Sequence, residues 1–394
     1  MPSVCLYLQI HQPWRLRRFG AFDIGQGHGY FDDEANESIL QRIAALSYEP
    51  TARTLTRLVL QHQGAFRCAL SFSGSALEQL ETYAPRALDA FRELVATGCV
   101  EILAETSHHS LAALFDHAEL DAQIALHRER VEAVFGMTPE VFRNTELLYS
   151  NALEARVAGR YAGMIVAEAV TRGRTPAHVY RGVGGTRLLP KSERLSDDIA
   201  FRFTETGWSE HPLTAEKLAR WIVERGGDVA GLFMDFETFG EHLREETGIF
   251  TFLEALPEAV REAGGDFALP REVLARHEPQ GVLDVFEWTS WADEGRDASA
   301  WVGNPLQDEA CRVLYKLLRR CKLRDDDPKL LTDLRRLTAS DHVYYMATKA
   351  FGDGTVHDYF SPFESPYEAY IVFMNVLQDV QRRLGLPSLG AGRA

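Results

Sequence analysis

Apolar residues along the chain change period several times. Val4 to Ile10 (VCLYLQI) and Phe66 to Phe72 (FRCALSF) are short apolar runs that predict buried strands, as do Val100 to Leu103, Val141 to Arg143, Gly163 to Ala167 and Asp228 to Met234. Between them the period lengthens to that of amphipathic helices, over Ala52–His62, Ala84–Thr97, Leu120–Phe135, Asn151–Gly159 and Leu213–Gly226. Gly98 stops one of these helices, and the hydroxyl of Thr214 is placed to cap another. Strands alternating with helices imply an α/β fold with a parallel sheet, open or closed into a barrel. After about Asn304 the strands give out. Leu306–Leu323, Pro328–Leu337 and Pro366–Leu384 read as helices. The expected organisation is a catalytic unit over 1–300 and a helical region over 301–394, packed on the first and completing its cleft. The tail after Leu386 is expected to fray.

In parallel α/β folds ligands sit at the C-terminal ends of the strands. The first strand runs into His11-Gln12-Pro13-Trp14 and the second into Ser71-Phe72-Ser73. The third carries Glu101 and leads to Glu105, His108 and His109. The fourth leads to Asn144-Thr145-Glu146, and the strand ending at Met234 leads to Asp235-Phe236-Glu237 with Glu241 and His242 beyond. So many carboxylates and imidazoles on one face predict an acidic pocket. Gathering buried carboxylates costs several kcal/mol each unless they are paired or neutralised, on the order of the usual desolvation penalty. A metal site is one justification. Glycoside hydrolysis, with one carboxyl as nucleophile or base and another as acid, is the second. The histidines lack the paired spacing a zinc site on such a barrel wants, so no metal and no cofactor are expected.

Charge narrows the partners. The 394 residues include 42 basic and 57 acidic side chains, a net charge of −15, which argues against nucleic acid or an anionic membrane. The five cysteines are odd in number and form no CxxC motif, which fits a reducing compartment. No signal-peptide pattern opens the chain, and no apolar run reaches the roughly 18 residues of a membrane span. A cytoplasmic protein is expected.

The segments LQIHQPWR (Leu8–Arg15), GCVEIL (Gly98–Leu103), FRNTELLYSN (Phe142–Asn151), MDFETFGEH (Met234–His242) and SDHVYYM (Ser340–Met346) occur in the order of the five motif regions of glycoside hydrolase family 57, and the chain resembles that family's short α-amylases over residues 5 to 346. The resemblance implies an incomplete (β/α)7 barrel followed by helices. It also implies action on α-glucans or maltooligosaccharides with retention of configuration. By motif position Glu146 matches the nucleophile and Asp235 the general acid/base. Asn144 and Thr145 would keep Glu146 ionised and aimed. The apolar strand before Asp235 and the neighbouring Glu237 would raise its pKa. His11, Glu101, Glu237 and Asp341 match positions that line the sugar cleft, and His109 is a further candidate. Trp14, Trp288 and Trp291 are candidate sugar platforms, with the alternative that the latter two anchor the two parts of the chain. Asp341 and Asp235 could equally cap helices. One departure stands out: Ser107 and His108 occupy positions where related amylases carry two tyrosines. The chain ends soon after the fifth motif, which leans toward an amylase-type enzyme. A 4-α-glucanotransferase using the same pair, a metal-dependent polysaccharide deacetylase and a non-catalytic glucan-binding protein are the alternatives.

Overall fold

The computed structural model describes residues 2–324, 327–349 and 361–386. The expectation for the tail after Leu386, and parts of that for 301–394, lie outside the described residues.

The strands are β1 (Ser3–Ile10), β2 (Cys68–Phe72), β3 (Val100–Ile102), β4 (Val141–Arg143), β5 (Gly163–Val166), β6 (Tyr180–Gly182), β7 (Arg187–Pro190), β8 (Val229–Asp235), β9 (Asp266–Phe267) and β10 (Val282–Leu283). One sheet has the order β3-β2-β1-β8, with β9 beside the start of β1, and the other the order β10-β6-β7-β5-β4. All pairs are parallel except β6 with β7. The sheets meet where Ala104, just past β3, bridges Phe142 of β4; Ala104 N donates to Val141 O and Arg143 N to Ala104 O, each at 2.8 Å. On the other side, just after β7, Ser192 N donates to Gly231 O of β8 at 2.8 Å.

Side chains alternate faces along a strand, and β1 shows what that does here. Val4, Leu6 and Leu8 pack outward with the helices around Ala52–Val59, Leu77–Leu94 and Leu218–Leu256. Cys5 and Tyr7 point the other way, into a buried cluster with Ala69, Leu103, Val141, Ile165, Leu189, Val229 and Phe233, closed by Val273 and Leu274. The C-terminal helices Pro305–Cys321, Pro328–Arg336 and Pro366–Arg383 share one apolar cluster with Leu120, Ile124, Phe142, Met164 and Leu188. The helices therefore cover the outer face of β4, β5 and β7 and have no separate core.

The expected helices are present with shifted ends, for example His117–Phe135 and Ala215–Arg225. Thr214 Oγ1 accepts from Lys217 N at 3.2 Å, the cap expected of it. A helical run through Asp33–Ile43, a π-turn at Ala44–Tyr48 and Glu49–Gln61 is longer than the Ala52–His62 expectation. It carries Tyr48, whose hydroxyl reaches the site.

Candidate active site

β4 ends at Arg143, and the chain then folds into a tight turn in which Glu146 and Leu147 take φ values of 54° and 49°. Such angles are uncommon outside glycine and persist only where neighbours over-determine them. Leu147 N donates to Asn144 O and Leu148 N to Thr145 O, both at 2.9 Å. Asn144 Nδ2 donates to Leu148 O at 3.1 Å, Thr145 Oγ1 meets Thr106 Oγ1 at 3.0 Å, and Ser290 Oγ donates to Glu146 O at 2.9 Å. Asn144 and Thr145 thus aim Glu146 by holding its turn.

The groups on the carboxylate itself are different ones. Oε1 of Glu146 lies 2.9 Å from His109 Nε2, and Oε2 accepts from Trp291 Nε1 at 2.8 Å. Burial works to raise the pKa of Glu146, but these two donors and the charges of His109 and Arg143 hold it below its ordinary value. His109 is fully buried, and its Nδ1 is 3.1 Å from Glu105 Oε2. Burial opposes its charge, yet hydrogen bonds to Glu105 and Glu146 push its pKa up to about 9. Glu105 is buried too; the Arg143 guanidinium and His109 hold it well below the usual carboxylate range against its desolvation. Arg143 Nη1 lies 3.4 Å from Glu105 Oε2, and its Nη2 donates to Gln9 Oε1.

His11 follows β1 and stacks on His109, the ring centroids 4.1 Å apart. Its Nδ1 is 2.7 Å from Ser73 Oγ and its Nε2 2.9 Å from Asp341 Oδ2. Ser73 Oγ also accepts from Ala76 N, which leaves the hydroxyl proton for His11. Burial and the charge of His109 lower the pKa of His11. Asp341 lies at the start of Ser340–Tyr344, where Ser340 N donates to His109 O at 3.0 Å. The charges of His11 and His109 hold Asp341 well below its ordinary pKa despite burial.

Asp235 ends β8 opposite Gln9 of β1. Burial raises its pKa and the charge of Glu146 adds to the rise, against His242, Lys191 and Arg143. The sequence points to Glu237 as the neighbouring acid responsible, and here the structure differs: the leading like charge on Asp235 is that of Glu146. The Asp235 charge instead acts on Glu237, which burial and that charge push up to about 8. Glu237 Oε1 accepts from Gln12 Nε2 at 3.1 Å and from the Tyr48 hydroxyl.

Glu146, His109, His11, Asp341, Asp235 and Glu237 are therefore brought together. Glu101 is not. It is two residues before Leu103 in β3, paired through Ala69 with Tyr7, and its Oε2 accepts from Arg271 N at 3.0 Å. It lies toward the N-terminal ends of the strands, beside Cys5 and Glu272, and burial pushes it up to about 7. Trp14 is not an open platform either. Its Nε1 donates to Glu78 Oε2 at 3.2 Å, and the Arg336 guanidinium covers its ring at 3.9 Å. Trp288 packs against the apolar cluster of the C-terminal helices. Trp291 is in the site, but its nitrogen is committed to Glu146 and Lys191 Nζ lies 5.1 Å from its ring. His108 is buried beside His109: its backbone N–H donates to Gln123 Oε1 and burial lowers the pKa of its ring to about 4. Arg143, Tyr48, Gln12, Ser73 and Lys191 are site residues that strand-end reading passed over. An arginine inside an otherwise buried strand was the available signal for Arg143.

Among the described residues no group of three or more His, Cys, Asp and Glu is arranged to hold a metal ion, and no helix is long and apolar enough to cross a membrane.

A protein named "Putative alpha-amylase" from Methanocaldococcus jannaschii is 36% identical over 393 residues, covering 95% of this chain and 83% of that protein. The fold is similar to that of the 4-alpha-glucanotransferase from Thermococcus litoralis, with a TM-score of 0.69 at 15% identity. That match covers 97% of this chain but only 60% of the transferase. It is also similar to the GH57-type branching enzyme of Pyrococcus horikoshii (TM-score 0.67, 14% identity, 98% of this chain and 95% of that one). The model of glycosyl hydrolase family 57 matches residues 5–286, and the chain belongs to that family.

Proposed function

We propose that the protein is a retaining enzyme of α-1,4-glucans, a hydrolase of the α-amylase type or a transglycosylase, with Glu146 as nucleophile and Asp235 as general acid/base. One observation carries the reading. Two carboxyls in one pocket are pushed in opposite directions, Glu146 below its ordinary pKa and Asp235 above, with the charge of the first helping to hold the proton on the second. An acid and a nucleophile are distinguished in this way when they work at the same pH. The names of the relatives, an α-amylase and a 4-α-glucanotransferase, support the α-glucan substrate.

In the forward step Asp235 gives its proton to the glycosidic oxygen, the bond from that oxygen to the anomeric carbon breaks, and Glu146 Oε1 or Oε2 bonds to the carbon. Asp235, now a carboxylate, takes a proton from water or from a sugar hydroxyl as that oxygen displaces Glu146. Water gives hydrolysis and a sugar gives transfer. His11, Glu237 and Asp341 surround this pair with donors and acceptors suited to ring hydroxyls, while both nitrogens of the buried His109 are committed to Glu105 and Glu146. The order β8-β1-β2-β3-β4-β5-β7, with Ser192 against Gly231, supports an incomplete (β/α)7 barrel over residues 1–300. The bonds from Asp341 to His11 and from Ser340 to His109 support a helical region that completes the cleft. The five cysteines are unpaired, in keeping with the reducing cytoplasm.

Incubation with maltoheptaose and resolution of product lengths tests the reading. Only shorter chains mean hydrolysis; shorter and longer chains together mean transfer. Glu146→Gln is expected to stop both, and full turnover by that variant overturns the nucleophile assignment.

A further inference from the structure

Glu105 has no part in the chemistry just described, yet it is the most enclosed carboxylate near it. Its side chain is inaccessible to solvent, and so are those of its partners Arg143 and His109. Three elements supply its donors: Ser71 Oγ from β2, Arg143 Nη1 from β4 at 3.4 Å, and His109 Nδ1 from its own loop at 3.1 Å. His109 has the unusual φ of 50°, which lets one imidazole face Glu105 with Nδ1 and Glu146 with Nε2 at the same time.

We infer that Glu105 is a positioning residue for the nucleophile: it keeps His109 an imidazolium, so that the ring donates to both carboxylates and holds Glu146 ionised and in place. The inference rests on the assignment of Glu146 as nucleophile. A neutral imidazole has one N–H and so donates to one carboxylate only. Both nitrogens of His109 face carboxylate oxygens, which accept and do not donate when ionised. A ring with two protons donates to both; the neutral alternative, with Nδ1 accepting from Arg143 Nη1 at 3.3 Å, leaves Glu105 without its donor from His109. Glu146 alone is a poor guarantor of that charge, because its own charge disappears when the glycosyl ester forms. Glu105 does not react and remains through both steps.

The other groups facing His109 do not replace it. His11, stacked on the ring, has its own pKa lowered by burial and by the charge of His109, and its nitrogens face Ser73 and Asp341. Arg143, with Nη1 3.3 Å from His109 Nδ1, is a cation and works against a charged ring. Asp341 reaches His109 only through its charge, while His127 and Asp235 face Glu105 and Arg143 rather than His109. The pKa of His109, about 9, agrees with the geometry.

The test is the pH dependence of kcat/KM on an α-maltotrioside with a dinitrophenyl leaving group. Such a substrate needs no proton from Asp235, so its alkaline limb reports the nucleophile side of the site. In the wild-type enzyme kcat/KM is expected to hold to about pH 9. In Glu105→Gln the amide still fills the space but carries no charge. The alkaline limb is expected to move down by about one unit or more, giving at pH 8.5 a roughly threefold or larger loss that shrinks toward pH 6, with KM little changed. An unchanged limb, or the same loss at every pH, overturns the inference. If Glu105→Gln does not fold, ring-labelled histidine NMR of the wild-type protein decides, with His109 assigned by its absence in His109→Gln. Both ring nitrogens protonated at pH 7 support the inference, and a neutral ring overturns it. Glu146→Gln separates the two levels. If it still turns over the aryl glycoside, the nucleophile assignment falls and this inference with it. If it is inactive while Glu105→Gln keeps the wild-type limb, only the inference falls.

Discussion

The indole nitrogen of Trp291 lies 2.8 Å from Oε2 of Glu146, 145 positions away along the chain. With His109 on the other oxygen, each oxygen of the carboxylate has one strong donor. A hydrogen bond to a charged group contributes about 1.5–3 kcal/mol, equivalent to roughly tenfold to a hundredfold in rate where it acts on the reacting atom. Trp291→Phe keeps an aromatic face and removes the donor. The expected result is a fall of about that size in kcat with KM little changed. A loss confined to KM in steady-state kinetics would return Trp291 to the role of a sugar platform.

Asp235 carries the proton in the proposed first step. Asp235→Asn is expected to lower kcat/KM on maltooligosaccharides by about a hundredfold to ten-thousandfold, the usual range for a general acid. On a dinitrophenyl maltoside the first step should survive. Added azide should then accelerate turnover and yield an α-glycosyl azide, because azide needs no base to attack the glycosyl ester. Absence of that product by mass spectrometry, with the variant folded, would remove Asp235 from its role.

Glu237 sets up a stability test with a definite sign. Burial and the charge of Asp235 push it up to about 8, far above a free glutamate. Between about pH 4.5 and 8 the folded state therefore keeps a proton that the unfolded chain has released, and stability falls as pH rises through that window. Glu237→Gln retains an acceptor for Tyr48 and Gln12 and has nothing to titrate. The difference in Tm, variant minus wild type, is expected to grow from pH 5.5 to pH 8.5. A constant difference across thermal scans would mean that Glu237 is ionised throughout.

Much of the site could be read from where strands end. Glu146, Asp235, His11, His109, Glu237 and Asp341 follow apolar runs or a fifth motif, and parallel strands deliver such residues to one end of the fold. The roles of Arg143 and Glu105 were harder to read. A buried charge is stabilised by partners from other strands, and no local pattern names those partners. The turn at Glu146 was hidden for a similar reason: a positive φ on a glutamate comes from Thr106, Ser290 and the Asn144 side chain, none of which changes the hydrophobic period. Trp291 was visible as an aromatic residue near the site. That its nitrogen rather than its face meets Glu146 depends on the path of the loop from Phe286 to Trp301.

Glu101 lies apart from the other candidates, and it yields the last prediction. It lies in the same strand as the residues leading to Glu105 and His109, on the inward side like Leu103. A parallel strand, however, has two ends, and Glu105 is four positions beyond Glu101. The carboxyl of Glu101 meets the backbone N–H of Arg271 near Cys5, with Tyr7, Ala69 and Leu103 packed in the interior toward the other end. A residue there is expected to touch no sugar bound at Glu146. Glu101→Gln preserves the acceptor for Arg271 N, and kcat and KM on maltooligosaccharides are each expected to stay within about threefold of wild type. Burial has pushed Glu101 up to about 7, so the neutral amide should also cost little stability below that pH and relieve a buried charge above it. A large rise in KM in the folded variant would place Glu101 in the sugar cleft after all, and with it the assignment made from the motif.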